Sequence, residues 1–336
     1  MTEPSKVREW GYLGRTKVRV SALGFGGAVI GSLHRWVDEE TALGAVETAW
    51  SLGIRYFDTA PHYGLGQSER RIGRVLAGRP RADYAISTKV GRILVPSPEL
   101  AGRSDDEGFD VPAEVRRVWD FSADGVRRSL DSSLERLGLD RVDVVLMHDP
   151  DNHWEQAISS AYPALHELRA QGVVGAIGAG MNQWQMLERF VRETDIDAVM
   201  LAGRYTLLEQ TALDSMLPQC VHNGVSVLAA GVFNSGLLAV DRPDADATYN
   251  YATVPAELHA RALRIGRICA RHGVSLPQAA MAFAAAHPAV ATVVVGARDA
   301  EQITRNAELF EQPVPAELWL DLTDAGLLEP DVPVPS

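Results

Sequence analysis

Asp58, Tyr63, Lys89 and His148 are ionisable residues of different proton affinity, and each stands at or just past the end of a short apolar run. Asp58 closes Arg-Tyr-Phe-Asp, residues 55–58, and Tyr63 follows in Asp-Thr-Ala-Pro-His-Tyr-Gly. Lys89 closes residues 84–89, and His148 directly follows the β-branched run 142–147. A free tyrosine titrates near ~10, too high for efficient proton transfer at neutral pH. A lysine cation beside the phenol favours the phenolate and lowers that value. An aspartate beside the lysine would keep it charged and oriented. A histidine across the site can donate a hydrogen bond to a carbonyl oxygen and orient the substrate. Such a set moves a proton to or from an oxygen. The sequence offers no metal-ligand spacing and no activated serine or cysteine, so no metal is expected. Proton transfer at a carbinol oxygen pairs with hydride transfer at its carbon, which calls for a nicotinamide cofactor. Singly, each residue has a plainer reading: a helix cap or ion-pair member for Asp58, half a structural salt bridge for Lys89, a packed histidine for His148, a loop anchor for Tyr63. Jointly those readings weaken, because a buried Lys–Asp pair is costly without a use and perturbed ionisable groups cluster at working sites.

These residues meet only if the runs that carry them are neighbouring strands. Eight short apolar runs occur, at 22–26, 55–58, 84–89, 142–147, 176–179, 198–202, 226–229 and 292–295. Between and after them lie segments with helical spacing: 39–51, with Leu43, Val46 and Ala49, then 68–77, and 123–137, with Leu130, Leu134 and Leu137 on one face. The alternation continues through 162–171, 183–193, 212–223, 256–285 and 300–310. Alternating strands and helices imply right-handed parallel crossovers. Eight such units predict a closed (β/α)8 TIM barrel rather than an open doubly wound sheet, and the G-x-G-x-x-G turn of the open sheet is missing after the first run. In such a barrel the strand ends share one face, where active sites sit. Residues 12–13 and 18–20 flank Gly14-Arg15-Thr16-Lys17 and predict a hairpin, about residues 12–20, closing the opposite end. Residues 91–120 and 241–254 show no period and are expected to be long loops over the active face. The expected organisation is one domain across 1–336, with the barrel over about residues 22–310 and a tail over 311–336.

The chain of 336 residues carries a formal charge of -12. That balance disfavours nucleic acid, which needs a basic face. With 46% hydrophobic and 23% charged residues it reads as an ordinary soluble protein. No run of ~18 apolar residues is present, so no membrane span is expected. The first residues, MTEPSKVREW, show no apolar signal region. Cys220 and Cys269 fit neither a disulfide framework nor a metal site, which makes a reducing, cytoplasmic compartment the expectation. Nothing in the sequence specifies an oligomeric state.

Residues 53–64 (GIRYFDTAPHYG), 87–91 (STKVG), 136–143 (RLGLDRVD) and 146–150 (LMHDP) resemble the ordered signature segments of the aldo-keto reductase superfamily. The resemblance runs from about Leu13 to about Phe310. It implies the same (β/α)8 barrel and a catalytic tetrad of Asp58, Tyr63, Lys89 and His148. Residues 60–68, 147–156, 178–184 and 202–207 resemble the aldose 1-dehydrogenase branch, which acts on sugars of the L-fucose type and has L-galactose and pyridoxal 4-dehydrogenases as relatives. That likeness implies oxidation of a ring-form C1 hydroxyl to a lactone, with Tyr63 as general base. An NADPH-dependent reductase of small aldehydes, a pyridoxal 4-dehydrogenase and a cofactor-sensing regulatory subunit are the alternatives.

The family pattern also implies nucleotide contacts. Gly26, Gly27 and Asp58 lie at the first strand ends. Where many members carry Ser-Asn, this chain has Gly180-Met181-Asn182, so Asn182 or the backbone would hold the carboxamide. A common glutamine falls on Ala202, and the stacking aromatic falls near Ala230. The pyrophosphate loop is better kept, with Gly231, Phe233, Asn234, Gly236 and Leu237. Gly296, Arg298, Gln302 and Asn306 would meet the adenosine end. The Lys-Ser pair of NADPH-preferring members is absent there, and Asp299 would oppose a phosphate, so NAD is expected over NADP. The plain reading of that stretch is a helix start that binds any anion weakly. Trp36, Trp119 and His153 are candidate contacts for a small sugar or aldehyde, with Asp151, Trp154 and Trp184 nearby in sequence; Trp154 and Trp184 read equally as packing at helix starts.

Overall fold

The computed structural model describes residues 5–100, 102–250 and 252–335; residues 1–4, Ala101, Tyr251 and Ser336 lie outside them. Eight strands close into a barrel: β1 (Leu23–Gly26), β2 (Tyr56–Asp58), β3 (Ala85–Val90), β4 (Val144–His148), β5 (Ala176–Met181), β6 (Ala198–Ala202), β7 (Ser226–Ala230) and β8 (Val290–Gly296). Each pairs in parallel with its neighbours, and β8 closes on β1. The strands are largely buried on both faces, so most read as continuous apolar runs rather than alternating ones, while β3 also buries Ser87, Thr88 and Lys89. Register places Asp58 opposite Ser87 and His148 opposite Gly180, which puts the predicted site residues at one rim.

The barrel interior is filled by Tyr56, Ala85, Val144, Leu146, Ala176, Ala198, Met200, Leu228 and Val294. Small residues make the room. A Cβ on Gly24 would lie 2.7 Å from the Tyr56 ring, and one on Gly178 would lie 1.8 Å from the carbonyl oxygen of Ala198. The predicted hairpin pairs Trp10–Tyr12 with Arg19–Ser21. Its Leu13 and Val20 are fully buried in the interior cluster, and Gly14 N–H donates to Ser226 Oγ at 2.8 Å. The hairpin thus stoppers the end opposite the site.

Helix Glu39–Ser51 starts on an Asp38 cap, and helix Ala123–Leu137 starts on Ser122 and ends on Gly138 in the left-handed region. Five sequence expectations change. The stretch 256–285 is two helices, Ala256–Arg271 and Leu276–Ala285, because Gly273 (φ +67°) turns the chain and Ser275 with Gln278 forms a capping box. The stretch 212–223 becomes helical only from Met216, after a short turn at Thr211–Leu213. The tail contains helix Ala316–Asp324, whose Leu318, Trp319 and Leu322 are buried against the barrel's outer layer. Residues 91–120 are more than an irregular loop: Arg92–Pro96 pairs antiparallel with Val115–Trp119. In the second loop, Thr248–Tyr249 pairs briefly with Ala252–Thr253.

Candidate active site

The structure brings the four predicted residues together. Lys89 is 1% exposed, and its ammonium donates to Asp58 Oδ1 (2.9 Å) and Oδ2 (2.8 Å), to the Thr59 carbonyl (3.1 Å) and to the Tyr63 hydroxyl (3.0 Å). Ser87 Oγ donates to Asp58 Oδ1 at 2.7 Å and lies 2.8 Å from the Tyr56 hydroxyl. A buried chain of hydrogen bonds therefore runs from Tyr56 through Ser87, Asp58 and Lys89 to Tyr63. His148 stands across the mouth with its ring perpendicular to Tyr63, the centroids 5.8 Å apart. Its Nδ1 is buried without a partner among the described residues, and its Nε2 lies 3.6 Å from Asp149.

Electrostatics fix the resting protonation. Burial lowers the Lys89 ammonium, but Asp58 and Tyr63 outweigh it and hold Lys89 above its usual value, so it is charged. Burial pushes the Tyr63 phenol up to about 12, although Lys89 pulls the other way. This corrects the expectation that the lysine lowers the tyrosine: the charge acts in the expected direction, and desolvation of the phenolate is larger. Burial, with Arg92 and Lys89 nearby, holds His148 well below its ordinary range, so its imidazole is neutral and still has one N–H to donate.

The sequence reading missed the shell around the mouth. Arg92, the first residue of the hairpin, is ion-paired with Asp149, and one of its terminal nitrogens lies 3.2 and 3.3 Å from the two ring nitrogens of His62. Arg117 pairs with Asp105 at 2.5 Å, and both side chains are buried. Arg117 also donates to the His62 carbonyl at 3.0 Å. Phe109 packs on both His62 and Tyr63, at 5.0 and 6.1 Å between centroids. The loop that carries it is tied to the segment after β1 through Leu33 and His34. Trp36 and Trp119 are exposed at 52% and 43%. Trp119 lies at the mouth, 4.9 Å from the ring of His153. Trp154, by contrast, is buried against Phe190, and Trp184 packs on the outer core, as their plainer readings had it.

A model of the aldo/keto reductase family matches residues 22–325. This chain belongs to the aldo/keto reductase family. It is 48% identical to a D-threo-aldose 1-dehydrogenase from Pseudomonas sp. over 92% of this chain and 95% of that protein. It is 40% identical to a pyridoxal 4-dehydrogenase from Microbacterium luteolum over 96% of this chain and 99% of that one. An aldo-keto reductase from Bacillus halodurans, solved in its holo form, superposes with a TM-score of 0.73 at 26% identity, covering 97% of this chain and 98% of that one. The protein is an oxidoreductase that acts on a small molecule, and its family uses a nicotinamide nucleotide. No helix among the described residues is long and apolar enough to cross a membrane.

The residues expected to meet the nucleotide lie at the ends of β1 and of β5 to β8 and just beyond them. Asn182 is occupied, donating to the Ala202 carbonyl at 3.0 Å. Met181 is buried, so only its backbone or sulfur edge can face a ligand. Residues 231–237 form tight turns, with positive φ at Gly231, Asn234, Ser235 and Gly236. Asn234 donates to the Gly203 carbonyl at 3.1 Å while its Oδ1 is buried without a partner among the described residues. The N–H groups of Asn234, Gly236 and Leu237 donate to carbonyls within the turns, which leaves those of Val232, Phe233 and Ser235 without an acceptor among the described residues and open to an anion. Phe233 packs on the core, and Leu237 is fully buried with its N–H donated to the Asn234 carbonyl at 3.2 Å. Gly26 and Gly296 pair at the β1–β8 rim. A Cβ on Gly27 would lie 2.4 Å from Ser68 Oγ, which gives that glycine a packing reason independent of any nucleotide. Helix Ala300–Glu311 starts on Asp299, whose carboxylate accepts from Gln302 N–H, while Gln302 Oε1 accepts from Arg298 N–H. Asn306 lies on that helix, half-buried. These exposed turns and the helix start fit a dinucleotide.

Proposed function

We propose that the protein oxidises the C1 hydroxyl of an aldose of the L-fucose, D-arabinose or L-galactose type to a lactone, with NAD as the preferred nucleotide. The observation that carries the reading is the buried hydrogen-bond chain ending 3.0 Å from Lys89 Nζ at Tyr63 Oη, beside the high similarity to a D-threo-aldose 1-dehydrogenase. A nicotinamide dinucleotide would supply the hydride acceptor, with Asn182 beside its carboxamide, the 231–237 turns at its pyrophosphate and Arg298 at its adenosine end. Tyr63 accepts the C1 hydroxyl proton. Lys89, kept charged by Asp58, stabilises the phenolate that does so. Neutral His148 donates from its ring N–H to a substrate oxygen and fixes the approach. The unpaired, buried Cys220 and Cys269 support a cytoplasmic location.

NAD is supported by the Asp299 carboxylate at the start of helix Ala300–Glu311, which disfavours a 2′-phosphate. NADP is the second reading, and one observation favours it: Arg35 lies near enough to Arg298 to depress that guanidinium further, after burial. Steady-state rates with NAD and with NADP on L-fucose, D-arabinose and L-galactose test both points. Absence of sugar oxidation with either nucleotide overturns the reading.

A further inference from the structure

We infer that Arg92 and Asp149, walled by Trp119, form a polyhydroxyl-binding edge that selects substrates by hydroxyls remote from the reacting carbon. The inference deepens the proposed function and rests on it for the identity of the substrate. Asp149 directly follows His148 at the end of β4, so its place relative to the reacting centre is set by the strand. Its φ of +43° puts a non-glycine residue in the left-handed region. That conformation is disfavoured, and such residues gather at functional sites. The side chain is 30% exposed. Oδ2 meets Arg92 and lies 3.6 Å from His148 Nε2, while Oδ1 accepts no hydrogen bond from the described residues. One carboxylate oxygen is therefore available to a ligand hydroxyl.

Arg92 supplies the complementary donors. Residues 57 positions apart in sequence meet here, Arg92 from the mouth hairpin and Asp149 from the barrel. Arg92 Nη1 lies 3.2 and 3.3 Å from the two His62 ring nitrogens and 3.5 Å from the Glu107 carboxylate, loose contacts that a ligand hydroxyl at the mouth can replace. His62 does not compete as a cation, because burial, with Arg92 and Arg117 nearby, holds it down to about 2. Trp119 is the cross-strand partner of Arg92, and the guanidinium lies 4.3 Å from its ring centroid. Phe121 stacks behind Trp119 at 6.0 Å. An exposed indole beside a carboxylate and a guanidinium matches a sugar ring, whose C–H face is apolar and whose edge both donates and accepts hydrogen bonds. A purely structural ion pair needs neither an open acceptor nor an exposed aromatic wall.

The test compares two aldehydes reduced with NADH, glyceraldehyde and propanal, which share the reacting carbonyl and differ in hydroxyls. In Asp149→Asn and Arg92→Met, kcat/KM for glyceraldehyde is expected to fall at least about tenfold, the size of one charge-assisted hydrogen bond, chiefly through KM. The value for propanal should stay close to wild type. Equal losses on both aldehydes overturn the inference and make the pair a support for His148. Arg92→Lys keeps the charge but not the fork and should recover part of the loss; full recovery would also count against bidentate recognition. Nucleotide affinity measured by fluorescence titration verifies that each variant is folded. The readout does not require sugar oxidation, so failure of the wild type on the sugar panel sinks the proposed substrate while leaving the hydroxyl discrimination to be judged on its own.

Discussion

At Tyr63 two opposing influences set the proton's affinity, and burial wins over Lys89. A phenol held at about 12 is almost wholly in its protonated form at neutral pH, so the acid form is always present and the base form is scarce. Oxidation needs the base form, so kcat/KM for sugar oxidation should climb as pH rises from neutral into the alkaline range, while carbonyl reduction stays level there. A flat oxidation profile between pH 7 and 9, values chosen to lie below that phenol's titration, would remove Tyr63 as the base. Tyr63→Phe keeps the ring that packs on Phe109 and deletes the hydroxyl that meets Lys89. Its turnover should fall by roughly 10²–10⁴-fold with nucleotide binding unchanged, as read by stopped assays and fluorescence titration. Lys89→Met should do comparable damage by a different route, removing the cation that opposes desolvation and leaving Asp58 as an unpaired buried charge.

Most barrel strands were legible as apolar runs, because a strand buried on both faces has no polar alternation to hide in; β3, with Ser87, Thr88 and Lys89, was read from its place in the strand–helix alternation. The hairpin over the mouth was not, since Arg92-Ile-Leu-Val-Pro96 and Val115-Arg-Arg-Val-Trp119 are short, lie far apart in the chain and lack a tight-turn signal between them. The four predicted site residues sit at strand ends and could be placed by counting. Arg92, Asp149 and Arg117 could not, because their meaning lies in contacts between distant segments. The Arg117–Asp105 pair shows what such contacts do. Both side chains are buried, so Asp105→Ala leaves a buried guanidinium with only the Glu107 carboxylate, 3.6 Å away, and should cost up to about 3–5 kcal/mol locally. The expected result is faster hydrogen exchange through residues 104–118 and a raised substrate KM, with the barrel strands still protected. Unchanged exchange there would mean the pair does not hold the loop. Gly73 makes a contrasting case at a helix contact. An added Cβ would lie 2.0 Å from the Leu137 carbonyl oxygen, a backbone atom that cannot swing away. Gly73→Ala should therefore lower the melting temperature of the whole protein, and a variant that melts like wild type would show that helices Gln67–Leu76 and Ala123–Leu137 can part freely.

Across the whole molecule, three histidines are folded away from water in neutral form. Burial holds His62 down to about 2 and His287 down to about 4, and it holds His148 well below its usual value. In the unfolded chain each would titrate near 6.5. Below that pH the unfolded state binds protons that the folded state refuses, so unfolding gains protons and stability falls as pH falls. For a group with a lowered folded pKa the loss begins at the unfolded value and ends only at the folded one, which for His287 spans 6.5 down to about 4. Each such histidine gives up about 1.4 kcal/mol per pH unit inside its window, against a total stability on the order of 5–15 kcal/mol. His287 isolates the effect because it sits away from the mouth, against Tyr205, with Nδ1 accepting the Ala289 N–H at 3.1 Å. That bond requires an unprotonated Nδ1, so protonation must either break it or be refused. Urea unfolding of wild type at two pH values, one above and one about a unit below 6.5, should show the lower stability on the acid side. His287→Gln offers an acceptor that does not titrate in this range. Its gap between the two conditions should shrink by about 1 kcal/mol relative to wild type, and an unaltered gap would mean that His287 is not among the groups that tie the fold to pH.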